Sequence, residues 1–129
     1  MYKKFLDLGQ QPLANKYLTK KDLTKKKPEN YYHLEVGFNL KNKLVSILNI
    51  ISAKKMFNDK YPYRSSMSKT MLHAFKKIAQ RIKKTFNPNF VIEIGSNDGS
   101  FIKNFDKKKV IGIEPCSNMA KITNAMGYK

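Results

Sequence analysis

The stretch Phe90-Val91-Ile92-Glu93-Ile94-Gly95-Ser96-Asn97-Asp98-Gly99-Ser100-Phe101 constrains the fold more than any other part of the chain. An apolar run ends in a turn carrying two glycines, and a second apolar run, Val110-Ile111-Gly112-Ile113, follows it. Short apolar runs bounded by glycine read as two buried parallel strands joined by a short helix. The turn after the first strand is built of small residues, which let a ligand approach the backbone closely.

Composition bounds the rest. A chain of 129 residues suffices for one ordinary domain, or for a small module and part of a larger one. With 41% hydrophobic and 12% aromatic residues, a core can form. The net charge of +17 comes almost entirely from lysine, with Arg64 and Arg81 the two arginines, and is densest at Lys25-Lys26-Lys27. Readers of nucleic acid favour arginine for bidentate contacts and gather charge on one face. Dispersed, solvated lysine is therefore the expectation, with nucleic acid an unlikely partner, although some lysines can steer an anionic substrate. The alternative class is a non-catalytic basic module that binds nucleic acid or a protein partner. Cys116 is the single cysteine, so no internal disulfide supports an oxidising compartment. Without a long apolar run, no membrane partner is expected and a cytoplasmic location is the default.

Along the chain, three regions are expected: 1–60, 61–87 and 88–129. In the first, Phe5, Leu6 and Leu8 suggest a short strand broken by Gly9 and Pro12, and residues 19–30, with Pro28, read as a loop. Tyr31–Phe38 alternates and Leu44–Ile51 is apolar, so the two predict an antiparallel hairpin across Asn39-Leu40-Lys41-Asn42-Lys43. A zinc knuckle would carry Cys-x-x-Cys at such a tip. Here the positions hold Asn39 and Asn42, and His33 and His73 lack ligand-spaced companions, so no zinc is expected. Ala53–Phe57 suggests one helical turn. In the second region, Tyr61-Pro62-Tyr63 is extended and the following serines offer helix caps. Met71, Leu72, Phe75, Ile78, Ala79 and Ile82 then fall at helical spacing up to about Phe86, predicting a helix that packs on the sheet beginning at residue 90.

The turn itself excludes two ligand classes. NAD and FAD sites need Gly-x-Gly-x-x-Gly, and two positions after Gly95 stands Asn97. ATP and GTP sites of the P-loop type need Gly-Lys-Ser/Thr, which is missing. Glu114 closes the second strand, where a carboxylate can accept two hydrogen bonds from ribose hydroxyls. Either feature alone can be a packing device or a solvated acid. Glu93, Gly95, Gly99 and Glu114 together look like the motif of S-adenosylmethionine (SAM) dependent methyltransferases. Asp98 either caps the helix expected near Ser100 or faces the charged methionine end of such a cofactor.

Four ordered phrases extend the likeness: Phe5-Leu6-Asp7-Leu8-Gly9-Gln10-Gln11-Pro12-Leu13-Ala14-Asn15, Tyr61-Pro62-Tyr63-Arg64-Ser65-Ser66-Met67-Ser68, Glu93 to Phe101, and Gly112-Ile113-Glu114-Pro115-Cys116-Ser117-Asn118. They resemble the sugar C-methyltransferases, which act on nucleotide-linked 4-keto-deoxysugars. The resemblance implies an α/β chain: a small β-rich N-terminal module, degenerate in its zinc ligands, then the first strand-helix-strand of a Rossmann-like SAM-dependent domain. It implies SAM as cofactor, lined by Glu93, Gly95, Ser96, Asn97, Asp98, Gly99 and Glu114, with Pro115 and Asn118 nearby. Tyr63 would face the active-site cavity as the catalytic candidate, or serve as a packing aromatic in a linker. The family's general base and sugar-binding residues have no counterpart in these phrases. The chain is thus expected to lack turnover alone, as a shortened gene product, a cut chain or one piece of an enzyme completed by a second chain.

Overall fold

A computed structural model describes residues 1–26 and 29–129. Lys27 and Pro28, parts of the expected basic run and loop, lie outside the described residues. The chain divides into two units, Met1–Met56 and Phe57–Lys129.

The first unit is a three-stranded antiparallel sheet in the order β1-β2-β3, formed by β1 (Tyr2–Pro12), β2 (Tyr31–Asn39) and β3 (Val45–Ile47). The expected hairpin is present, with Val36 opposite Ile47 and Phe38 opposite Val45. Its second strand is shorter than the apolar run from Leu44 to Ile51. The expected break at Gly9 does not occur. Instead β1 runs through Gly9 to Pro12, absorbing the irregularity in register shifts between Lys4 and Leu6 and between Asp7 and Gln10. Gly9 takes φ +66°, a conformation that costs glycine little, and so permits the bulge. The segment read as a loop contains helix α1 (Lys20–Leu23), held by a capping box between Thr19 and Asp22. Sequence patterning misses it because one polar turn has no apolar period. The anticipated turn after the hairpin is α2 (Ala53–Met56).

The second unit carries the long helix α3 (Lys69–Phe86). It starts where Ser68 Oγ accepts the Met71 N–H at 3.2 Å and stops where Asn87 turns left-handed, φ 40°, before Pro88. A short 3₁₀ turn, Ser65–Met67, precedes it. Strands β4 (Val91–Ile94) and β5 (Val110–Ile113) pair in parallel, Val91 with Val110 through Ile94 with Ile113. The short helix expected between them takes the form of two 3₁₀ turns, Ile102–Asn104 and Lys107–Lys109. The turns suffice because Asn104 Nδ2 donates to the Ser100 and Phe101 carbonyls and Asp106 accepts the Lys108 N–H. Helix α4 (Ser117–Ala125) follows β5.

One face of the parallel pair is covered as expected: Ala79 of α3 joins Ile102, Phe105 and Val110 in a buried cluster flanked by Ile82, Val91 and Phe101. Phe101 stacks edge-on against both Phe75 and Phe105, with centroids 5.6 and 5.4 Å away. The other face departs from the expectation of buried strands. Ile92, Ile94 and Ile113 are 59%, 83% and 52% exposed, because side chains alternate across a strand and only one layer is packed here. Among the described residues no helix is long and apolar enough to cross a membrane.

Ile102 is completely buried at the centre of this cluster. Ile102→Ala should lower unfolding free energy by about 2–4 kcal/mol through lost burial and a residual cavity, as read from the midpoint of urea denaturation.

Candidate functional site

The loop leaving β4 is shaped by backbone conformation. Gly95, Asn97 and Gly99 have φ of +77°, +50° and +74°. The Gly95 and Ser96 N–H groups both donate to Ile113 O, at 2.8 and 3.2 Å, folding the loop back over the end of β5. A Cβ on Gly112 would lie 2.6 Å from Ser96 Oγ, so the second strand also needs glycine for the loop to seat. By contrast, a Cβ built on Gly95 meets nothing within 4 Å, and open space borders the turn there.

Glu114 locks this arrangement. Its Oε2 accepts the Asn97 N–H and its Oε1 the Cys116 N–H, both at 2.7 Å, and each carboxylate oxygen keeps a further lone pair. The Asn97 side chain reaches the preceding segment, accepting the Ser65 N–H at 2.9 Å and donating to Tyr63 O at 3.1 Å. Asp98 accepts from the Ser66 N–H at 3.1 Å and from the Ser100 hydroxyl at 2.6 Å. Asn118, in the first turn of α4, donates to Tyr61 O at 2.7 Å. Residues 61–66 are thereby latched to the glycine loop, and the ring of Tyr63 stays partly exposed beside it. Asp98 caps no α-helix; it ties Ser66 to Ser100.

Ser96, Asp98 and Ser100 are buried, and Pro115 is exposed just beyond Glu114. Among the described residues, two buried acceptors in this unit have no hydrogen-bond partner, Glu93 Oε2 and Asn118 Oδ1. Burial pushes the Glu93 carboxyl up to about 7, against the pull of the Ile102 N–H and with the help of the Asp98 and Glu114 charges. Burial would raise Asp98 too, yet the Ser100 and Ser66 hydrogen bonds hold it below its ordinary value. Burial and the Glu114 carboxylate push the Cys116 thiol up to about 11, which favours its protonated form. Three of the chain's nine acids, Glu93, Asp98 and Glu114, thus interact around one loop of a chain with net charge +17. Such a site favours a ligand carrying positive charge and hydrogen-bond donors.

In the N-terminal unit a cleft of about 570 Å³ is lined by Tyr32, His33, Asn49 and Lys55 among others, and contains none of the residues expected to hold a ligand. Sequence spacing also missed a cluster there: Asp7, His33 and Glu35 bring their ligand-type atoms within 4.8 Å of one another. His33 and Glu35 share a strand face, a legible signal, whereas Asp7 joins them only through the bulged register of β1.

Residues 2–57 match a methyltransferase-associated family. The description of that family reads "Putative zinc binding domain". No curated protein matches the chain. The donors in residues 2–57 do not suit a zinc knuckle, since Cys116 lies in the other unit. At the hairpin tip, Asn39 Oδ1 accepts the Lys41 and Asn42 N–H groups at 2.9 and 3.2 Å, and Asn42 Oδ1 accepts the Leu44 N–H at 3.1 Å. Both amides brace the turn.

Because Glu93 is raised from 4.5 to about 7, the folded chain binds more protons than the unfolded chain between these values. Stability should therefore fall as pH rises from about 4.5 to 7. Glu93→Gln should flatten that slope and, discounted for partial solvent screening, gain on the order of 1 kcal/mol at pH 8, seen as a higher Tm in a pH series.

Proposed function

We propose that the glycine loop of the second unit binds SAM and that the chain belongs to a C-methyltransferase acting beside the ketone of a nucleotide-linked deoxysugar. The observation carrying this reading is the loop's chemistry: three converging carboxylates, two unpartnered buried acceptors and open space at Gly95. A cofactor with a cationic sulfonium and ammonium, ribose hydroxyls and an adenine suits that donor and acceptor set. The methyltransferase-associated match over residues 2–57 supports the same direction.

In this reading the loop begins a Rossmann-like domain, and Glu114 accepts from the ribose hydroxyls with its remaining lone pairs. Glu93 and Asp98 face the positively charged end, Asn118 Oδ1 takes a donor, and Gly95, Ser96, Asn97 and Gly99 supply the close backbone, with Pro115 beside them. Bound SAM supplies an electrophilic methyl group. Tyr63, whose backbone is pinned by Asn97, stands ready to orient the sugar substrate. A second chain that completes the domain remains part of the proposal, as does the absence of zinc.

Isothermal titration of the full chain with SAM tests the reading. Binding is expected, and Glu114→Gln should weaken it ~10–100-fold, through loss of ribose hydrogen bonds together with one of the two backbone N–H bonds that hold the loop. No heat with SAM, accompanied by salt-sensitive binding to RNA or DNA, would instead support a basic binding module.

A further inference from the structure

The N-terminal unit resembles a zinc module in sequence, yet a cation already occupies the place where an ion could sit. Asp7 and Glu35 are direct cross-strand partners on β1 and β2. Two like charges facing each other destabilise a ladder unless something positive stands between them. Lys4 does so: its Nζ lies 2.6 Å from Glu35 Oε1 and 3.1 Å from Asp7 Oδ2.

This contact depends on the first bulge. In a regular strand, residues three apart point to opposite faces. The register shift between Lys4 and Leu6, which leaves Phe5 as the extra residue, brings Lys4 onto the face of Asp7. The second bulge completes the cluster by turning the Gly9 N–H onto Asp7 Oδ1 at 2.9 Å. His33 Nε2 pairs with the same oxygen at 2.7 Å, and Asn49 Nδ2 donates to Glu35 Oε2 at 2.7 Å. All four carboxylate oxygens of Asp7 and Glu35 are thereby engaged.

We infer that the Lys4 ammonium, rather than a metal ion, holds the Asp7, His33 and Glu35 cluster together. It cross-links β1 to β2 and, through Glu35 and Asn49, ties in the segment after β3. A zinc ion at this position would have to displace Lys4 and would find only His33, Asp7 and Glu35, one ligand short of the closed tetrahedral set of structural zinc sites. Both bulges thus place members of one network. Its members are largely solvent-exposed, so it sets register and alignment more than bulk stability.

The test uses the full chain purified without an affinity tag. Zinc is measured by mass spectrometry after dialysis, and thermal unfolding is followed with EDTA and with added zinc chloride. Sub-stoichiometric zinc and a Tm unmoved by either addition are expected. Lys4→Met should lower Tm by ~3–5 °C, Lys4→Arg should hold it, and Lys4→Met combined with Asp7→Asn should recover part of the loss by removing the facing charges. One zinc per chain surviving dialysis, or a Tm that falls with EDTA, would overturn the inference. So would a Lys4→Met chain as stable as the original. If Lys4→Met does not fold, the zinc content and EDTA response of the unaltered chain still decide.

Discussion

The second unit depends on one carboxylate receiving two backbone N–H groups. Glu114, at the end of β5, holds Asn97 in the loop after β4 and Cys116 at the entrance to α4. From Asn97 the constraint passes through its amide to Ser65 and Tyr63, and from Asp98 to Ser66. A single acid therefore fixes the loop conformation, the start of a helix and the path of the segment before α3. Charge-assisted bonds of this kind are stronger than neutral ones. The loop needs them because three consecutive odd-numbered positions, Gly95, Asn97 and Gly99, have positive φ, and the asparagine among them holds that conformation at a cost.

The two units solve stability differently. In the second, Ala79 of α3 closes with Ile102 and Phe105 over Val110 in a hydrophobic cluster. In the first, Leu13 is the buried large apolar residue among those described, and the sheet relies on its long β1-β2 ladder and on charged side chains across it. Metal binding supplies much of the folding energy of many modules this small. The exposed Lys4 network instead aligns β1 with β2 through a cation whose position the chain encodes directly.

Much of the architecture was legible in residue patterns. The hairpin, α3 with its Ser68 cap and the pair β4-β5 all follow from periodicity and capping chemistry, which act over a few residues. The misses share a cause. The continuity of β1 past Gly9, the short α1 and the 3₁₀ connection to β5 depend on side chain to backbone hydrogen bonds or bulged registers, which leave no apolar period. Of the candidate site, the carboxylates and glycines could be named from spacing. That Asn97, Asp98 and Asn118 would spend hydrogen bonds on residues 61–66 could not, because those partners lie more than 30 positions away.

The sequence by itself determined the two apolar runs, the glycine turn between them and the acid that closes the second strand, since each is a local consequence of residue type. Only the tertiary structure decided which acceptors stay unpartnered, why Glu93 is hard to ionise and which cation faces Asp7 and Glu35. Burial, register and long-range hydrogen bonds decide these matters, and they exist only once distant segments have been brought together.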